Sequence, residues 1–196
     1  MPLQKYTDGT VSAEPELVSA VVEQVRTGRV HIGDTGRGTT GDSGGRIEAS
    51  YLQLVMTRIW NEERAEDSPL LRLTTLSRLG GAPKIVQTHL NAVMEKLSDE
   101  ERNIAARVFQ QLVTHSGTKI AHSVHDLAGY AGVDAGKLRV VLDALSRGTD
   151  RILRPVAELP DRPGVPRYEI SHDRLAPAIL DWRLRQVKVQ ETFEAD

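Results

Sequence analysis

The chain contains no cysteine, which excludes a disulfide framework and any thiolate metal site. Aromatic residues make up only 4% of it, so a core must be assembled from Leu, Ile, Val and Ala, a palette that suits packed helices better than sandwiches. An excess of one charge is missing too: 25 Lys and Arg face 27 Asp and Glu, a formal net charge of -2. No overall positive field draws this chain to nucleic acid or anionic lipid, and any such contact needs a local patch. No apolar run approaches the roughly 20 residues of a membrane span, and Met1 to Val11 lack the apolar centre of a signal peptide. Cytoplasmic placement without membrane contact is the expectation.

What remains is a chain of 196 residues with 39% hydrophobic content, enough for one domain or two small ones. Glu14-Pro15-Glu16 opens a helix with a first-turn proline and neighbouring carboxylates, and Leu17, Val21 and Val25 mark its buried stripe. Residues 28–45 hold seven glycines among Asp, Thr and Ser and read as a loop. From Ile47 the helical period returns, with Tyr51, Leu54, Val55 and Ile59 on one face and Arg58, Asn61, Glu62 and Glu63 on the other, ending near Ala65. Leu70, Leu73, Leu76 and Leu79 form another stripe up to Gly80-Gly81, and Ile85, Val86, Leu90, Val93 and Leu97 form a third.

Ser98-Asp99-Glu100-Glu101 spells a capping box, followed by the stripe Ile104, Ala105, Val108, Leu112. Lys119-Ile120-Ala121 suits a very short strand. Ser123 caps a helix that Gly132 ends, and Ala135 to Arg147 make the next, with Leu138, Val141, Leu142 and Leu145 inward. Two strand-like runs, Ile152 to Leu159 and Arg167 to Ile170, flank the turn residues Pro160 to Gly164, and a helix from about Leu175 to Val189 closes the chain. Helix, short strand, helix, helix, strand, turn, strand is the winged-helix order. The expected fold is therefore mainly α: a helical, lid-like region over 1–97 with a glycine-rich loop at 28–46, a winged helix-turn-helix domain over 98–187 with a small wing of two or three strands, and a tail at 188–196.

Few residues carry obvious chemistry. Gly36 to Ser43 almost spells a phosphate-binding P-loop, but Asp42 occupies the lysine position, where its charge would repel the phosphates. His122 and His125 have a spacing that could hold a metal, yet Ser123 between them reads as a helix cap and too few ligands accompany them. No metal site and no catalytic triad is expected. The helix-turn-helix offers Lys137, Arg139 and Arg147 to DNA. Residues 98–185 nevertheless carry 13 basic and 12 acidic side chains, a weak basis for displacing counterions.

The most specific string is RYEISHDRLAPAILDWR, Arg167 to Arg183. It resembles the end of the winged-helix domain in bacterial STAND proteins (signal-transduction ATPases with numerous domains), relatives of the NB-ARC and NOD-like receptor architecture. Ser171-His172-Asp173 resembles the Met-His-Asp motif found there, with serine replacing a packing methionine. IEASYLQLVMTRIW (47–60) and SGTKIAHSVHDLAGYAGV (116–133) are similar to the same group. The resemblance implies a regulatory, non-enzymatic piece of a signalling NTPase, whose Walker motifs belong to a separate nucleotide-binding domain. That domain of the same parent is the implied partner, ADP or ATP the implied ligand in the parent, and homo-oligomerisation on activation an implied outcome. His172 would contact the β-phosphate of ADP and so sense nucleotide state, with Asp173 orienting the imidazole or capping the closing helix. A winged-helix transcriptional regulator using Lys137, Arg139 and Arg147 is the alternative.

Overall fold

The computed structural model describes residues 11–26, 47–157 and 165–194, with side chains placed as far as Gln186 in the last segment. The P-loop-like stretch and the turn from Pro160 to Gly164 lie outside the described residues. The chain is mainly helical, with two small sheets, and it divides into two compact units, 1–85 and 86–196. The first therefore ends inside a helix, before the boundary that the capping box at Ser98 suggests.

In the first unit, β1 (Ser12–Ala13) is followed by α1 (Pro15–Val25), α2 (Ala49–Ala65), β2 (Leu70–Leu71), α3 (Leu73–Arg78) and the start of α4 (Gly81–Glu95). Pro15 stands in the first turn of α1, where its missing N–H removes no helical bond. Leu17, Val21 and Val25 are buried, as their spacing requires, and so are Tyr51, Val55 and Ile59 of α2. Sequence reasoning has no strand before Pro15 and runs Leu70 into a helix. The structure instead pairs β1 with β2 in parallel, Ser12 opposite Leu70 and Ala13 opposite Leu71. Glu14 secures this join, its amide donating to the Leu71 carbonyl (3.0 Å) and its carboxylate accepting from the Leu73 amide (2.8 Å). Gln24 of α1 likewise caps α4, since its side-chain oxygen accepts from the Ala82 amide at 2.7 Å.

The second unit takes the rest of α4, then α5 (Asp99–Leu112), β3 (His122–Ser123), α6 (Val124–Ala131), α7 (Ala135–Ser146), β4 (Leu153–Val156), β5 (Arg167–Ile170) and α8 (Leu175–Glu194). The capping box at Ser98 is complete: its hydroxyl accepts from the Glu101 amide, and the Glu101 carboxylate accepts from the Ser98 amide. Ser123 caps α6 by accepting from the Asp126 amide, and Gly132 ends it in the left-handed region at φ 61°. Asp134 caps α7 through the Gly136 and Lys137 amides. Inward positions of these helices, Ile104, Val108, Leu112, Leu127, Leu138, Leu142 and Leu145, form one core with Ile152, Ile170 and Ile179. Phe109 meets Trp182 edge to face, with ring centroids 5.9 Å apart.

The sheet is antiparallel in the order β3-β5-β4. The short strand expected at 119–121 lies later, at His122–Ser123, opposite Tyr168 and Arg167. Lys119 makes only an isolated bridge to Val113. Ser123 must both close the sheet edge and cap α6, which fixes the pairing at that point.

Candidate functional site

The strand-to-helix corner after β5 carries His172, Asp173 and Arg174 in succession. Ile170, fully buried, anchors its entry, and Leu175, also fully buried, anchors its exit. Ser171 between them donates its amide to the Ile152 carbonyl (2.8 Å) and its hydroxyl to the Arg151 carbonyl (3.3 Å), so the corner is tied to the connection between α7 and β4. The carbonyls of His172 and Asp173 accept from the amides of Leu175 (3.1 Å) and Ala176 (3.0 Å), starting α8. With apolar anchors so close on either side, the chain turns tightly and His172 is carried inward: the residue is 3% exposed.

Burial first, then the neighbouring charges of His89 and Lys119, push the His172 imidazole down to about 4. It is therefore neutral at physiological pH. His89, on α4, is also held below its ordinary value, chiefly by burial, although Asp150 favours its charged form and its imidazole is hydrogen-bonded to the Asp150 backbone. Asp173 is exposed, and its carboxylate pairs with Lys119 at 3.4 Å. Lys119 also reaches Glu169 (3.6 Å), which Arg154 holds from β4 at 2.5 Å. The imidazole that the sequence singles out is thus covered in this conformation.

The candidate DNA-contacting side chains are placed differently from one another. Lys137 is held by Glu100 at 2.6 Å, which raises the pKa of its ammonium, and Arg147 pairs with Asp143 at 2.6 Å. Arg139 is exposed on α7. These carboxylates neutralise two of the three cations that would have to displace counterions. Among the described residues no group of three or more His, Asp or Glu is placed to hold an ion, His122 and His125 included. His122 packs edge-on against Tyr130 instead, with centroids 5.5 Å apart.

Two groups escaped sequence reasoning. His89 sits one turn from both Val86 and Val93 and is half-buried, a place beside the stripe of α4 that was readable from helical spacing. Glu63 carried the same signal, one turn after Ile59 in the series Tyr51, Val55, Ile59. Assigned to the polar face of α2, it is fully buried. Its carboxylate accepts from the Arg72 guanidinium (2.6 and 3.0 Å), the Arg72 amide (3.2 Å) and the Thr75 hydroxyl. Burial pushes Glu63 up, but those hydrogen bonds outweigh it and hold the carboxyl at about 2. Arg72 continues to Glu66 at 2.5 Å, and Arg78 reaches the same carboxylate at 2.6 Å. This is a structural clamp between α2, β2 and α3, far more than a solvated face.

A mainly helical chain whose last strand runs through Ser171-His172-Asp173 into a closing helix has the marks of a STAND NTPase segment. The family model described as Novel STAND NTPase 1 matches residues 7–192, and the chain belongs to that family. No curated protein and no solved structure matches it. Among the described residues no helix is long and apolar enough to cross a membrane.

Proposed function

We propose that this chain is a non-catalytic regulatory module of a STAND NTPase, in which the second unit forms a winged helix that responds to the nucleotide state of a nucleotide-binding domain in the same parent protein. The observation that carries the reading is the order α5-β3-α6-α7-β4-β5, closed by a β3-β5-β4 sheet whose central strand delivers His172 to the root of α8. A two-state element of this kind works by differential contact: a ligand that binds one arrangement better shifts the population toward it. In the covered state described above, His172 locks the corner to its own unit. In an opened state its imidazole donates to a phosphate oxygen of ADP, as a neutral ring or a charged one, and exchange for ATP removes that preference. The signalling event is a swing of the winged helix, coupled in the parent to self-association.

Hydrolysis belongs to the partner domain in this reading. The chain incubated with ATP and Mg²⁺ is expected to release no phosphate above the protein-free rate, and steady turnover by the purified chain would overturn the non-catalytic assignment. In a longer protein that joins this chain to its nucleotide-binding domain, His172→Gln is expected to speed ADP release. Release unchanged from the parent removes the sensor role. The charge pairing of Lys137 and Arg147 disfavours the DNA-binding alternative, and salt-sensitive shifting of duplex DNA by the chain would restore it.

A further inference from the structure

We propose that Lys119 positions the His172 corner: its one ammonium holds the carboxylates on both sides of the histidine, Glu169 and Asp173, and thereby sets how readily residues 171–174 come away from the second unit. The consequence for nucleotide rests on the sensor reading above, whereas the contacts and their test belong to this chain alone.

Lys119 reaches the corner from a fixed base. Val113 bridges Lys119 across a short turn, inside which the Thr114 amide donates to the Thr118 carbonyl and the Thr118 amide to the Thr114 hydroxyl, both at 2.9 Å. One residue on, the Ile120 amide donates to the carbonyl of Leu112, a fully buried residue at the end of α5. The backbone on either side of Lys119 is thus tied to the core. Its side chain, 25% exposed, carries the ammonium to 3.6 Å from Glu169 and 3.4 Å from Asp173.

Charges alternate along the four side chains Arg154, Glu169, Lys119 and Asp173. Glu169 is a firm post, nearly buried and shared by Arg154 and Lys119. Asp173 is the loose end: its carboxylate is exposed, and among the described residues Lys119 is the cation paired with it. Both acceptor oxygens address one nitrogen, so they lie within about 7 Å of each other, inside the distance over which physiological salt screens charge. With Lys119 present the set is neutral. Without it, two carboxylates flank His172 with Arg154 as the remaining cation of the set, and their repulsion favours the arrangement in which residue 173 moves away. Part-exposed ion pairs contribute little singly, so Lys119 biases the corner rather than locking it. Opening also breaks the Ser171 bonds to Ile152 and Arg151 and the first bonds of α8, a local change that leaves the capped helices α5, α6 and α7 intact.

Amide hydrogen exchange on the intact chain without nucleotide provides the test. Lys119→Glu sets a third carboxylate beside Glu169 and Asp173. Protection at Ser171, Leu175 and Ala176 is expected to fall about fivefold or more at low salt, while the amide of Val141, within α7, keeps its protection. Adding Asp173→Lys to Lys119→Glu restores the balance of charge and is expected to bring the corner back to within about twofold of wild type, a recovery that lost packing at position 119 would not allow. High salt should shrink the difference between wild type and Lys119→Glu to less than about twofold. A corner in Lys119→Glu as protected as wild type, an equal loss at Val141, a loss that salt leaves undiminished, or no recovery in the charge swap each overturns the proposal. Should Lys119→Glu fail to fold, Lys119→Gln supplies the measurement: a loss of about two- to threefold is expected at the same amides, and no loss overturns the positioning role. Because nucleotide is absent, these outcomes are separate from sensing: unchanged ADP release in His172→Gln would remove the sensor and leave the Lys119 contacts standing.

Discussion

Replacing Glu63 by glutamine tests whether a buried carboxylate organises the first unit. Glutamine keeps the volume and one acceptor oxygen, so the Arg72 amide and the Thr75 hydroxyl retain a partner. What is lost is the charge and the second oxygen, which now accepts from the Arg72 guanidinium at 2.6 and 3.0 Å. Hydrogen bonds to charged groups contribute about 1.5 to 3 kcal/mol each. Arg72 keeps Glu66 at 2.5 Å, and its side chain is 35% exposed, so solvent screening trims the sum. A loss of roughly 2 to 4 kcal/mol is expected, below the full cost of stranding a buried charge. Trp60 lies on α2 with Arg64 stacked over its ring at 5.8 Å, so its fluorescence reports on this unit in a Trp182→Phe background. With a mid-range urea slope of about 2 kcal/mol per molar, the midpoint should drop by about 1 to 2 M. The pH dependence has a definite sign. Glu63 titrates near 2 when folded and at its ordinary 4.5 when unfolded, so its contribution is complete above 4.5 and fades as the pH falls toward 2. The gap between wild type and Glu63→Gln should therefore close in acid. A midpoint shift under about 0.3 M at neutral pH, or a gap that widens below pH 4.5, would refute the clamp.

Further outcomes are expected elsewhere. Phe109→Ala removes a fully buried ring that packs on Trp182, and chemical denaturation followed by Trp182 fluorescence should show the second unit losing about 3 to 5 kcal/mol. Ser98→Ala removes the hydroxyl half of the capping box and leaves the backbone amide of residue 98 on the Glu101 carboxylate; it should cost about 1 kcal/mol by the same measurement. Asp67 adopts φ 52° in the turn after α2, a conformation that glycine enters freely, so Asp67→Gly should leave stability unchanged or raise it by up to about 1 kcal/mol. A clear loss of stability in that variant would mean that the aspartate side chain itself holds the turn.

The helices were legible because each signal is local. Leu17, Val21 and Val25 repeat at helical spacing, Ser98 and Glu101 carry their capping chemistry within one turn, and Gly132 marks a stop that only its backbone freedom explains. The β1–β2 pair was not legible, since two-residue strands have no period to read and Ser12 meets a partner as remote as Leu70. Glu63 was misread although it continues the buried spacing of Tyr51, Val55 and Ile59, because its charge outweighed its position. A carboxylate among Asn61, Glu62 and Arg64 looks solvated until Arg72 folds back onto it. At the corner, the strand ending at Ile170 and the helix beginning near Leu175 could both be expected. The depth of His172 could not, because it depends on how Ile152 and Arg151 fasten a turn that the sequence only locates.

The central place of β5 has an outcome during synthesis. Arg167 to Ile170 leave the ribosome after the other strands of this sheet, yet among the described residues β3 and β4 have no hydrogen-bonded strand neighbour except β5. Until that segment emerges, both earlier strands present open edges, the surfaces on which incomplete chains adhere to one another. A transcript broken before Arg167 would thus yield a helical remnant with two unsatisfied strands and no histidine corner, a product suited to degradation.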